Sequence, residues 1–229
     1  MRQRCQTPVT HFSTDTPTIA LVDYKKGNIK SVERALVGCG ANVVVTSDPD
    51  AVRATDAVVL PGVGAFADAM GTLHELGLDA AVKDAIADDK PFLGICLGMH
   101  LMFEGGMEHA DGGKPTPGLG LILGIVDAMP RAVEGITFKV PHVGWNSVEY
   151  VKGEPLFAGI PEGEHFYFTH SFIAPESEFT IAETAHSVTF PCAVRKGNAM
   201  GVQFHPEKSS TAGAKMLENF VSIVREARE

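Results

Sequence analysis

Cysteine is scarce in this chain, and none of it is spaced as a metal ligand set. Cys5, Cys39, Cys96 and Cys192 are the four in 229 residues, and no C-x-x-C pair occurs among them. Neither a zinc site nor a disulfide framework is therefore expected, and a reduced cytoplasmic compartment is the natural one. Long apolar runs are missing too, so no segment reads as a membrane span. Positive charge is in deficit: 28 acidic against 19 basic residues give a net charge of -9. That balance argues against a nucleic-acid surface and for a small-molecule or protein partner. There is no internal repeat, no low-complexity tract and only one tryptophan, Trp145. What is present, 45% hydrophobic and 21% charged residues, suffices to bury one large core as a single domain. Met1 to Pro17 is polar and lacks the continuous hydrophobic core of a secretory signal. This stretch is expected to be a flexible arm or a start-site artefact, with 18–229 as the domain.

Gly94-Ile95-Cys96-Leu97-Gly98 stands out against this background. Phe92 to Ile95 is a short buried-strand pattern after Lys90-Pro91, and Leu97 to Phe103 resumes with helical spacing. The two glycines let the backbone bend tightly and pack closely, so the sulfur is pushed into a cleft. The pattern is the thiol counterpart of the G-x-S-x-G elbow. At a helix N-terminus the free amides and the macrodipole are expected to lower the thiol pKa and favour the thiolate. From the pentapeptide alone, a small buried cysteine in a glycine-flanked turn fits equally well.

Two further stretches bear on that choice. Val202-Gln203-Phe204 is strand-like, and an extended chain through His205-Pro206-Glu207 would point His205 and Glu207 the same way. An imidazole that takes a thiol proton needs its other nitrogen held by an acceptor, which a carboxylate supplies. Taken alone, a surface turn ending a strand is the simpler reading. Leu60-Pro61-Gly62-Val63-Gly64 follows the strand Ala57 to Leu60, and its backbone amides, with that of Leu97, could form an oxyanion hole. A phosphate loop would need a Lys-Ser/Thr that is absent; an ordinary tight turn remains open.

Strand and helix patterns alternate over Ile19 to Val22, Asn28 to Val37, Asn42 to Val45, Ala57 to Leu60 and Phe92 to Ile95. This rhythm predicts an α/β fold with an open, mostly parallel sheet flanked by helices, and ligands in such sheets sit at the strands' carboxyl ends. Beyond Gly112, strand-like runs at Gly124 to Ala128, Ser147 to Tyr150, His165 to Thr169 and Thr180 to Glu183 predict antiparallel additions. Gly213 to Val224 reads as an amphipathic helix.

In this order the three stretches resemble the class I glutamine amidotransferases, whose fold is flavodoxin-like. More narrowly, they resemble the glutaminase subunits of imidazole-glycerol-phosphate synthase, an enzyme of histidine biosynthesis. The narrower likeness is carried by Asp23-Tyr24, Gly27-Asn28-Ile29, Pro141-His142-Val143-Gly144-Trp145-Asn146, Phe166 to Phe172, Ala193 to Gly197 and Gly201 to Ser209. The resemblance implies a Cys96, His205, Glu207 triad that hydrolyses glutamine through a thioester, with no metal or organic cofactor. It implies an oxyanion hole at Val63, Gly64 and Leu97. Substrate would lie at Gly62, His100, Glu104, His170, Ser171 and Phe172, although Glu104 alone reads as plain helix surface. His100 departs from the family's usual glutamine, and a ring cannot reproduce a carboxamide's donor and acceptor pair. The implied partner is a (β/α)8 barrel cyclase subunit that receives the ammonia, contacted through Tyr24, Asn28, Pro141, His142, Trp145, Asn146 and Lys196. Without the resemblance, Trp145 reads equally as core, and Lys196-Gly197-Asn198 as a solvated hairpin turn. A stand-alone thiol hydrolase and a non-catalytic binding module are the competing classes. The first has no evident need for the Pro141 to Asn146 surface, and the second none for all three triad residues.

Overall fold

Apolar residues on both parities of each strand require a layer of helices on each face of the sheet. In β1 (Thr18–Val22), Ile19 and Leu21 enter one core while Ala20 and Val22 enter the other. The computed structural model describes residues 16–25 and 27–229; the predicted arm therefore lies outside the described residues, apart from Thr16 and Pro17. Pro17 is buried, and its carbonyl accepts from the Asn42 amide at 2.9 Å.

The first half follows the predicted rhythm: α1 (Ile29–Gly38), β2 (Asn42–Thr46), α2 (Pro49–Arg53), β3 (Ala57–Gly62), α3 (Phe66–Glu75), α4 (Leu78–Ala87), β4 (Phe92–Cys96) and α5 (Leu97–His100). Then come β5 (Phe103–Gly106), β6 (Thr116–Pro117), β7 (Ile122–Ala128), β8 (Ala132–Val133), β9 (Ile136–Thr137), β10 (His142–Ser147) and β11 (Glu149–Tyr150). The chain closes with β12 (His165–His170), β13 (Phe172–Ile173), β14 (Thr180–Ala185), β15 (Thr189–Lys196), β16 (Ala199–Val202) and α6 (Ser210–Glu226).

Among the described residues the main sheet runs β11-β14-β15-β16-β4-β3-β1-β2. The strands β2, β1, β3, β4 and β16 are mutually parallel, a flavodoxin-like order. The strands β15, β14 and β11 add antiparallel at one edge. Val32, Leu36, Met216, Leu217 and Phe220 of α1 and α6 pack one face, whereas Phe66, Leu73, Leu78 and Val82 of α3 and α4 pack the other. The second half also forms a β10–β12 antiparallel pair and a small sheet β13-β7-β5-β6, in which β5 and β7 run parallel.

Three local expectations are corrected. Helical spacing after Cys96 extends over Leu97 to Phe103, yet the helix stops at His100 and Phe103 begins a strand. The predicted strand Ser147 to Tyr150 is divided between β10 and β11, with buried Val148 between them. The strand-like run through Phe204 ends at Val202, and Pro206–Lys208 forms a 3-10 turn rather than an extended chain. Proline's fixed φ suits that first helical position. Among the described residues, no helix is long and apolar enough to cross a membrane.

Candidate active site

The parallel strands β3 and β4 end side by side, Gly62 opposite Cys96, and the loops after them form one end of the sheet. Cys96 takes φ 53° and ψ -107°, a region that L-residues occupy at roughly 1–3 kcal/mol. The flanking glycines have a different reason. A Cβ on Gly94 would stand 2.5 Å from the Gly98 carbonyl oxygen, and one on Gly98 would collide with the Leu60 carbonyl. They are needed for close packing of turn on strand, while the cysteine itself carries the left-handed bend. Because α5 is only four residues long, it brings no long helix dipole to the sulfur.

A cavity of about 420 Å³ opens above the elbow. It is lined by Cys96, Leu97 and His100; by Val63, Gly64 and Ala65; by Glu108 and His109; by Pro141; and by Thr169, His170, Ser171 and Phe172. The structure thus gathers the glycine loop, the elbow and the β12–β13 segment around one space. Val63 and Gly64 are exposed on the cavity wall, where a reacting oxygen could meet their amides.

Behind the sulfur lies His205, 2% exposed. Its Nδ1 is 3.0 Å from Glu207 Oε1, and the two side chains are almost wholly buried. Nδ1–H therefore donates to the carboxylate, leaving Nε2, which has no hydrogen-bond partner among the described residues, for proton transfer. Burial by itself lowers the affinity of this ring for a proton. The neighbouring Cys96 sulfur and Glu207 carboxylate outweigh it and raise the pKa to about 9. Among the raising influences the side-chain interaction with the Cys96 sulfur is the largest, followed by that with Glu207, and the charges of both partners add to it. The segment is held from β12: the His205 amide donates to the Tyr167 carbonyl at 2.9 Å. Ser209 Oγ accepts from the Tyr167 amide at 3.0 Å and donates to the His205 carbonyl at 2.7 Å. Phe204 packs between Phe166 and Phe168, with ring centroids 4.2 and 5.8 Å away.

Histidines form the far wall. His170 Nδ1–H donates to the Phe172 carbonyl at 2.9 Å, so its Nε2 accepts from His142 Nδ1–H at 3.1 Å. Burial drives both below the usual histidine value, His170 to about 3 and His142 to about 4. His100 is driven to about 4 by burial and bonds Gln203 Oε1 at 2.5 Å.

Several expected residues fall elsewhere. Glu104 is exposed on β5, and its carboxylate accepts from the Gly124 amide at 2.7 Å. Alternation on a strand turns it off the cavity, and Glu108 stands on the wall instead. The Glu108 carboxyl is raised by burial, partly offset by the Phe66 amide and His109. Gly62 lies under Tyr24 and Leu97 rather than on the cavity wall. Tyr24 is wholly buried, with its hydroxyl unpartnered among the described residues and its phenol pushed up by burial and by Cys96. It is part of the site's floor, not an outer surface. Lys196 pairs across to Ala199, which pairs with Phe92 at the end of β4 opposite Cys96. Its ammonium donates to the Leu121 carbonyl at 2.6 Å and sits 5.1 Å over Phe179. His142 is buried and Asn28 half-buried ahead of α1, while Trp145, 52% exposed, presents its ring beside Tyr167. Asn146 Nδ2 donates to the Ala185 carbonyl at 2.7 Å. Sequence reasoning missed Ala65, Glu108, His109, Thr169 and Gln203. Only Gln203 carried a signal, as one carboxamide inside an apolar run. Among the described residues no group of three or more His, Cys, Asp or Glu side chains is gathered to hold a metal.

A family model described as glutamine amidotransferase class-I matches residues 20–224. The chain is 45% identical over 211 residues to the imidazole glycerol phosphate synthase subunit HisH of Moorella thermoacetica, covering 91% of this chain and 96% of that one. It is 47% identical over 212 residues to the subunit of the same name from Aromatoleum aromaticum, covering 89% and 97%. The solved structure of PurLQS from Thermotoga maritima superposes with a TM-score of 0.66 at 16% identity, covering 93% of this chain and 100% of that one; this likeness speaks to fold alone.

Proposed function

Because the chain belongs to the class-I glutamine amidotransferase family, we propose that it is the glutaminase subunit of an imidazole glycerol phosphate synthase in histidine biosynthesis. The observation that carries the chemistry is the buried His205, whose Nδ1 is held by Glu207 and whose Nε2 is left open beside the strained Cys96. A proton affinity raised to about 9 keeps that ring protonated near neutrality, ready to give its proton to a departing nitrogen.

In this reading Cys96 Sγ attacks the side-chain carboxamide carbon of glutamine. The oxyanion collects on the amides of Leu97 and the Val63–Gly64 loop. His205 Nε2–H protonates the departing ammonia, leaving a thioester on Cys96. The neutral ring then takes a proton from water, which attacks the thioester carbon; the tetrahedral adduct collapses, glutamate leaves, and the proton returns. Glu108, the carboxylate on the cavity wall, suits the substrate's α-ammonium, and the β12–β13 backbone at His170 to Phe172 suits its α-carboxylate.

The ammonia passes to a partner subunit, proposed as a (β/α)8 barrel cyclase. The exposed faces of Val143 and Trp145 on β10, next to the Pro141 wall of the cavity, are the proposed contact; aromatic anchors of this kind often dominate interfaces. The test is Cys96→Ala in the purified two-subunit complex. Glutamine-dependent product formation should fall to background while ammonium salt still supports it. Loss of both activities in a folded complex, or survival of the first, would overturn the assignment.

A further inference from the structure

Gln203 follows β16 directly, has no exposed surface, and is the one carboxamide in contact with the nucleophile among the described residues. Its Nε2 lies 3.7 Å from Cys96 Sγ, and its Oε1 lies 2.5 Å from His100 Nε2. The backbone on either side is fixed, since the Gln203 amide donates to the Cys192 carbonyl at 2.8 Å and the next residue but one is His205. A carboxamide can offer a neighbour either its amino group or its oxygen. A thiolate has no hydrogen to give, so in the reactive form only the amino group satisfies the sulfur. That orientation aims Oε1 at His100, and the ring must then carry its hydrogen on Nε2. The contacts form a one-way chain from His100 Nε2–H to Gln203 Oε1 and from Gln203 Nε2–H to the sulfur.

We propose that Gln203 is a positioning residue for the nucleophile: its carboxamide, pinned by His100, donates to the Cys96 sulfur and steadies it as a thiolate turned to His205. This rests on Cys96 being the nucleophile. It also gives the histidine at position 100 a task other than touching the substrate amide. A glutamine at that position could pin Oε1 with its own N–H, whereas a phenyl ring could not.

The test uses the full chain with iodoacetamide at pH 7, followed by intact mass, and glutaminase kinetics in the two-subunit complex. Gln203→Glu sets a carboxylate against the sulfur in nearly the same volume. Alkylation and kcat should each fall about tenfold or more, the size of a lost hydrogen bond to a charged group, with KM for glutamine within about twofold. His100→Phe should slow alkylation by roughly fivefold and His100→Gln should restore most of that loss, as expected for one neutral hydrogen bond. If Gln203→Glu fails to fold, the His100→Phe and His100→Gln pair decides alone. Alkylation by Gln203→Glu and His100→Phe at the wild-type rate, or His100→Gln as slow as His100→Phe, would overturn the proposal. Glutaminase activity surviving Cys96→Ala would remove the nucleophile assignment itself, whereas an essential Cys96 with an indifferent Gln203 removes only this inference.

Discussion

Cys96 is the residue at which conformation and chemistry meet. Its positive φ is not relieved by a side-chain cap hydrogen bond, and Gly94 and Gly98 pack closely on either side of it. Glycine relaxes such a position and alanine does not. Cys96→Gly should therefore be more stable than Cys96→Ala by about 1 kcal/mol in urea unfolding, with both inactive; equal stabilities would show an unstrained elbow. Gly98 tests the packing side. Its Cβ has nowhere to go beside the Leu60 carbonyl, so Gly98→Ala should lose about 2 kcal/mol or more, or fail to yield soluble protein. Two reasons for these glycines were legible in the sequence, a bend and a close approach; the close approach holds at both, while the positive φ falls on Cys96.

At the scale of elements, β12 holds the His205 segment in place. Ser209 links the Tyr167 amide to the His205 carbonyl, and removing its hydroxyl takes the partner from a part-buried N–H. Ser209→Ala should cost about 1–3 kcal/mol of stability and lower kcat more than it changes KM. Unaltered kinetics in the folded variant would show that the His205 turn is positioned without this clamp. The acidic residues show where resemblance and fold part. The resemblance set Glu104 at the substrate, whereas the residue pattern alone read it as surface; the chain turns into β5 after a single helical turn, Glu104 is exposed, and Glu108 reaches the cavity instead. Glu108→Gln should raise KM for glutamine about tenfold while kcat changes less, the loss of one charge-assisted contact; a KM shift in Glu104→Gln alone would reverse this assignment.

For the whole molecule, the buried histidines set opposite pH limits. The folded values of His100, His142 and His170 lie below the free value of 6.5, near 3 to 4. The unfolded chain therefore binds protons that the native one refuses, and stability is present above pH 6.5 and lost as pH falls toward 4. His205 runs the other way. Its folded value of about 9 exceeds 6.5, so its contribution is full below pH 6.5 and disappears as pH rises through 9. Thermal unfolding from pH 4 to 10 should give a maximum near pH 6.5, and His205→Asn should flatten the alkaline limb alone. An acid limb that flattens instead would contradict the assignment of His205 as the proton-holding ring.

Local order by itself determined the parallel half of the sheet, the cysteine turn, the glycine loop and the C-terminal helix, since each is written in contiguous apolar periodicity and glycine placement. Resemblance named the triad, and the fold then supplied the relation between its members: Glu207 meets His205 through a 3-10 turn rather than an extended strand. Burial of Tyr24, the position of Lys196 at the far end of β4, the choice of Glu108 over Glu104, and the contact of Gln203 with both His100 and Cys96 were decided by tertiary structure alone. The physical reason is distance along the chain. Residues some hundred positions apart, as His100 and Gln203 are, share no periodic signal, and only the pairing of β4 with β16 brings them together.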